Sequence, residues 1–85
     1  MTPAQCKAAR ALVDLTQPKL AELAKVGLST VVDFERSRRQ VSVEAIVSLR
    51  SALEARGVLF LPENGAGVGV RLAKRSNPDT PYTEA

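Results

Sequence analysis

The chain has no histidine, no tryptophan and a single cysteine among its 85 residues, with one tyrosine and two phenylalanines. Each shortage removes a class of chemistry. With no His, and Cys6 alone, almost nothing remains from which to build a nucleophile and its base. A structural zinc takes about four Cys or His ligands and is excluded for the same reason. One thiol makes no disulfide scaffold and points to a reducing compartment. Long apolar runs are also missing. Ser, Gly and Pro interrupt the uncharged stretches well short of the roughly 18 residues of a membrane-spanning helix. Met-Thr-Pro-Ala-Gln-Cys-Lys at the start has neither the basic opening nor the apolar run of an export signal, so a cytoplasmic location is expected. The length suits one small domain, and 45% hydrophobic residues is normal for a globular chain. A carboxylate-based enzyme would need a pocket that so short a chain rarely encloses. The composition therefore points to a binding module that is not an enzyme, with no cofactor, metal or small-molecule ligand expected.

What is present is a localised positive charge. The formal net charge is +3. Residues 1–35 balance four cations (Lys7, Arg10, Lys19, Lys25) with four anions (Asp14, Glu22, Asp33, Glu35), and residues 58–85 also sum to zero. The excess falls within 36–57, where Arg36, Arg38, Arg39, Arg50 and Arg56 face only Glu44 and Glu54. Arginine is the cation whose planar fork suits phosphates and guanine edges. Charge alone leaves a merely solvated basic turn equally open.

The elements read in order. Thr2, Pro3 and Gln5 form a helix-start signal with a capping box, and Cys6, Ala9 and Val13, with Leu12 alongside, give one apolar face to about Asp14. Cys6 on that face reads as a small buried hydrophobe. Thr16 caps a second helix, Gln17–Ala24, which tolerates Pro18 in its first turn and buries Leu20, Ala21 and Ala24. Lys25-Val26-Gly27 is a short break before a third helix, residues 28–36, that buries Val31 and Phe34. The Arg-rich loop runs through Val41. Ser42 caps a fourth helix, residues 43–56, with Ile46, Leu49 and Leu53 inward, Glu44 near its N-terminal dipole and Gly57 as the stop. Beyond Gly57 the period changes. Val58–Leu61 and residues 67–72 read as two strands of a hairpin around the turn chemistry of Pro62-Glu63-Asn64-Gly65. An isolated hairpin is marginal, so this one packs on a helix or pairs with another chain. The organisation expected is a helical domain over 1–57, a hairpin over 58–74 and a flexible tail over 75–85.

Two short helices joined by a tight turn, with a helix on each side, describe a helix-turn-helix domain. Gln17-Pro-Lys-Leu-Ala-Glu-Leu-Ala-Lys-Val-Gly-Leu-Ser-Thr-Val-Val-Asp-Phe-Glu35 resembles the helix-turn-helix of the Cro and phage-repressor (XRE-like) family, and the match runs from Cys6 to about Leu53. The resemblance implies a mainly α, lambda-repressor-like bundle of four to five short helices with, here, a C-terminal β-hairpin. The family often pairs an arginine of the first helix with the glutamate ending the recognition helix, and Arg10 and Glu35 stand at those places as a structural ion pair. One departure is Lys25, where the family usually has a glycine at positive φ.

The function implied is sequence-specific binding of double-stranded DNA by a transcriptional regulator, a repressor or dual regulator acting as a homodimer on an inverted repeat. Leu28, Ser29, Val32 and Asp33 match base-facing positions. Leu28 and Val32 could meet thymine methyls or pack in the core, and Asp33 could accept from a cytosine amine or orient a neighbouring Arg. Thr16, Gln17 and Lys19, with Arg36, Arg38 and Arg39, are placed to hold the DNA backbone, one of the arginines being able to reach a guanine. Thr30 turns to a phosphate or caps locally. Val58, Phe60, Val68 and Val70 are dimer-interface candidates, the alternative being that the hairpin covers the monomer's own core. A second function class uses the same scaffold without DNA, as a protein-interaction module such as an antitoxin-like adaptor or anti-regulator.

Overall fold

The computed structural model describes residues 1–73. The polypeptide forms four helices, α1 (Pro3–Leu12), α2 (Gln17–Ala24), α3 (Leu28–Glu35) and α4 (Val43–Ala55), followed by strands β1 (Val58–Leu61) and β2 (Gly69–Leu72). Local chemistry explains where the helices begin. Thr2 accepts from the Gln5 amide while the Gln5 side chain accepts from the Thr2 amide, a complete capping box. Thr16 accepts from the Lys19 amide and Ser42 from the Ala45 amide. Such a cap is worth about 1 kcal/mol to its helix. Helix α3 starts at Gly27 with no side-chain cap and depends more on its packing.

The ends of α1, α2 and α3 share one geometry. Asp14, Lys25 and Ser37 have left-handed backbones, with φ of 56°, 60° and 55°. After each, the next amide reaches back five residues: Leu15 donates to the Arg10 carbonyl at 2.9 Å, Val26 to Ala21 at 3.0 Å and Arg38 to Asp33 at 2.9 Å. Each end is a Schellman turn, a motif that usually has Gly at its left-handed position. Here three non-glycine residues fill it. The turn at Asp14 also stops α1 at Leu12, shorter than the apolar period suggests, and leaves Leu12 exposed.

The core lies between the helices and the hairpin. Cys6 and Ala9 of α1, Leu20, Ala21 and Ala24 of α2, Val31 and Phe34 of α3, and Leu49 and Leu53 of α4 are all buried in one cluster. Leu15, Val41 and Val58 join it from outside the helices. Ile46 is only half-buried at its edge.

The hairpin pairs Val58 with Leu72, Leu59 with Arg71, Phe60 with Val70 and Leu61 with Gly69. Its second strand begins at Gly69 rather than 67. Gly65 and Gly67 take positive φ, and the Glu63 carboxylate accepts from both of their amides, so the chain is still turning there. Strand alternation sends Val58 and Phe60 to the same face, toward the helices. Val58 is 1% exposed and belongs to the core, and Phe60 and Val70 pack against it. This corrects the expectation that Val58 lies on a dimer surface: within one chain its side chain is already covered. Phe60 and Val70 are half-buried for the same reason, whereas Val68 is exposed. The expected tail, residues 75–85, and Lys74 lie outside the described residues. Among the described residues, no helix is long and apolar enough to cross a membrane.

Candidate nucleic-acid interface

Helix α3 buries Val31 and Phe34 and turns its other side outward. A rotation of about 100° per residue separates neighbours, so with Val31 fully buried Val32 is displaced toward the surface. Val32 is half-buried, as are Thr30 and Asp33, while Ser29 is exposed. Leu28 is 45% exposed, which decides between its two readings: it is not a core residue of this chain. The outward face therefore carries Leu28, Ser29, Val32 and Asp33 together at the start and middle of the helix.

Glu35 ends α3 and holds it in place. It is 3% exposed and accepts four hydrogen bonds. Arg10 of α1 grips both carboxylate oxygens, Nε to Oε2 at 2.7 Å and Nη2 to Oε1 at 2.8 Å. Gln17 Nε2 of α2 donates to Oε1 at 3.0 Å, and Cys6 Sγ of α1 to Oε2 at 3.1 Å. The remaining Arg10 nitrogen, Nη1, donates to the Leu15 carbonyl at 3.1 Å and ties down the link between α1 and α2. Burial pushes the Glu35 carboxyl upward, but the bonds from Arg10, Cys6 and Gln17 together outweigh it and hold the group below its ordinary range. The same contact raises the Arg10 guanidinium. Burial, reinforced by the bond to Glu35, pushes the Cys6 thiol up to about 12. One carboxylate thus joins three helices.

Gln17 and Cys6 are the residues that sequence reasoning assigned elsewhere. Gln17 was expected at the DNA backbone, yet one of its amide hydrogens points inward to Glu35. Cys6 reads as a plain hydrophobe, yet it lies one turn before Arg10 on the same helix face and shares its acceptor. That i, i+4 spacing was the available signal.

The start of α2 stands next to this hub. The Thr16 hydroxyl caps the helix, and Lys19 is exposed with its Nζ 3.6 Å from Glu22. Past α3, Arg36 and Arg38 are exposed and make no ion pair among the described residues. Arg39 is bound differently: its Nε donates to Asp33 Oδ2 at 2.8 Å and its Nη2 to Thr30 Oγ1 at 3.4 Å. Arg50 lies elsewhere, 5.1 Å over the Phe60 ring and paired with Glu54. The positive stretch of the sequence is therefore divided in space. Arg39 lies against the outward face of α3, Arg36 and Arg38 are exposed directly after that helix, and Arg50 braces the hairpin. No protein-family model matches the chain, and no match is found among curated proteins.

Proposed function

We propose that the protein is a sequence-specific DNA-binding transcriptional regulator of helix-turn-helix type, with α2 as the supporting helix and α3 as the recognition helix. The observation that carries this reading is the outward face of α3. It offers Leu28, Ser29, Val32 and Asp33, with three arginines, Arg36, Arg38 and Arg39, directly after the helix. A helix fits the major groove, where short polar and apolar side chains meet base edges. Arginines next to it neutralise phosphates, and those contacts set register while the base contacts set sequence. The capped start of α2, with Thr16 and Lys19, offers amide hydrogens and a cation to the backbone. Arg10 of α1 and Glu35 of α3 serve as structure, holding α3 against α1, while Gln17 ties α2 to the same carboxylate.

A homodimer on an inverted repeat is part of the proposal, because one short helix reads too few base pairs for high affinity and two recognition helices meet grooves about 34 Å apart. The surface available to it is the apolar skin of α4 and the outer hairpin, Val43, Val47, Leu59, Leu61 and Val68, all exposed.

The test is binding to random-sequence duplex DNA across a salt series, followed by selection of preferred sites. A log–log slope of about −0.9 per phosphate neutralised is expected, with enrichment of a palindromic site. The competing reading, a protein-interaction module such as an antitoxin-like adaptor, is favoured by the apolar Leu28 and Val32 on α3. Absence of DNA binding at low salt would decide for it.

A further inference from the structure

Arg39 is held where its neighbours are not. Thr30 and Asp33 are three residues apart on α3 and so lie on one face of the helix. Their two bonds to Arg39 lay its guanidinium along that face. Both bonds leave from the Nε and Nη2 side of the group. A guanidinium has five N–H donors in a rigid plane, so one hydrogen of Nη1 and the second hydrogen of Nη2 remain side by side on the distal edge. Two parallel N–H groups on a fixed plane are what guanine accepts at O6 and N7.

A phosphate contact requires only charge and reach. Arg36 and Arg38, exposed and without ion pairs among the described residues, have both. Arg39 has spent part of its freedom on a defined orientation, which favours a directional acceptor. Asp33 by itself would be repelled by phosphates. Paired with Arg39 at 2.8 Å its charge is matched, and the carboxylate becomes a support for the arginine rather than a base contact.

We infer that Arg39, positioned by Asp33 and Thr30, is a specificity-determining residue that reads a guanine in the major groove, so that part of the sequence preference is carried by the loop after α3. This rests on the DNA-binding reading above. It deepens that reading by separating the arginines into two phosphate holders and one reader.

The experiment selects sites from random duplex DNA with the full chain. Binding of the selected site and its single-base variants is then measured over a salt series for wild type, Arg39→Ala, Arg39→Lys, Asp33→Ala and Arg38→Ala. Far-ultraviolet circular dichroism and thermal unfolding verify that each variant is folded; all three positions are at least partly exposed, so each is expected to fold. The selected site should contain a guanine whose replacement weakens wild type by about 10- to 100-fold, the range of one bidentate contact. Arg39→Ala should lose that discrimination while its affinity for unrelated DNA stays within about threefold, and replacing the guanine should then cost nothing further. Arg39→Lys should not restore it, because an ammonium lacks the fork. Asp33→Ala should reduce guanine discrimination, a readout that a purely structural role would not move. Arg38→Ala should weaken all sequences alike and reduce the salt slope by about one. If Arg39→Ala instead behaves like Arg38→Ala, Arg39 is a phosphate holder and the inference is overturned with DNA binding intact. A wild-type chain that binds no DNA overturns both readings.

Discussion

Glu35 shows how a single residue organises the molecule. Its carboxylate is buried, and it is tolerable there only because Arg10, Gln17 and Cys6 satisfy it. Glu35→Gln leaves the guanidinium of Arg10, whose side chain is 20% exposed, without its counter-charge. Breaking a buried pair from one side is costly, so a loss of about 3 kcal/mol is expected in urea unfolding at pH 7. The sign of the pH dependence follows from the lowered carboxyl. The unfolded glutamate takes up its proton near pH 4.3, before the folded one does. The stabilisation is therefore present above that pH and is lost as pH falls through the folded value, so the gap between wild type and Glu35→Gln should narrow on going from pH 7 to pH 3. Cys6 yields a second outcome. Fully buried, with its pKa near 12, its thiol should react with a disulfide reagent at pH 8 only through opening of the fold, and denaturant should abolish the protection. Lys25 supplies a third. Its left-handed backbone suits glycine, so Lys25→Gly should raise stability by about 0.5 to 1 kcal/mol, read as a higher urea midpoint with the slope unchanged. That strain was legible in advance from the lysine standing where the helix-turn-helix pattern that the sequence resembles has a glycine. The bonds that Gln17 and Cys6 make to Glu35 were not, since they depend on how α1, α2 and α3 pack.

At the scale of elements, the hairpin is held by a side chain far from it in sequence. Gln5 Nε2 donates to the carbonyls of Leu61 at 3.2 Å and Gly69 at 2.9 Å, the last rung of the ladder. The same side chain closes the capping box of α1 through its oxygen. Gln5 therefore joins the first helix to the last strands, and it is 7% exposed although polar. Two strands alone are marginal in water, so this clasp and the inward side chains carry much of their stability. Gln5→Ala should leave two carbonyls short of a donor and cost about 1 to 3 kcal/mol. Hydrogen exchange should show the loss concentrated in the amides of β1 and β2, with α2 and α3 protected as before. The capping role of Gln5 was readable from the Thr2-Pro3-Ala4-Gln5 spacing. Its second role was not, because a bond spanning 64 residues leaves no local pattern.

For the whole molecule, the hairpin and the helices share one core. Val58 sits in it at 1% exposure, and the Ala73 amide donates to the Gly57 carbonyl at 2.6 Å, closing the end of the ladder. A chain ended after Gly57 loses Val58 from the core cluster and the Phe60 ring under Arg50. Burial of one such valine alone is worth about 1.5 kcal/mol or more, and a domain of this size has little to spare. The truncated chain should unfold at lower temperature with a broader transition. Retention of wild-type stability would show that the hairpin is an appendage instead. The distribution of charge is settled at this scale too. Arg39 lies along α3 against Asp33, while Arg50, from the same stretch of sequence, turns to the hairpin.

The sequence by itself determined the order of the elements and most of their punctuation, though not the end of α1 or the start of β2. Caps at Thr2, Thr16 and Ser42, the stop at Gly57 and the apolar periods of α2 and α4 all act through neighbours within a turn or two, so local pattern suffices to reveal them. It also bounded the chemistry, since a chain without histidine has few groups that exchange protons near neutral pH. Tertiary structure decided what depends on distant partners. It assigned Val58 to the core, gave Glu35 four donors from two other helices, turned Gln17 partly inward and set Arg39 against Asp33 and Thr30. The physical reason is range: propensity and capping are local energies, whereas burial and hydrogen-bond satisfaction are settled only when separate elements meet.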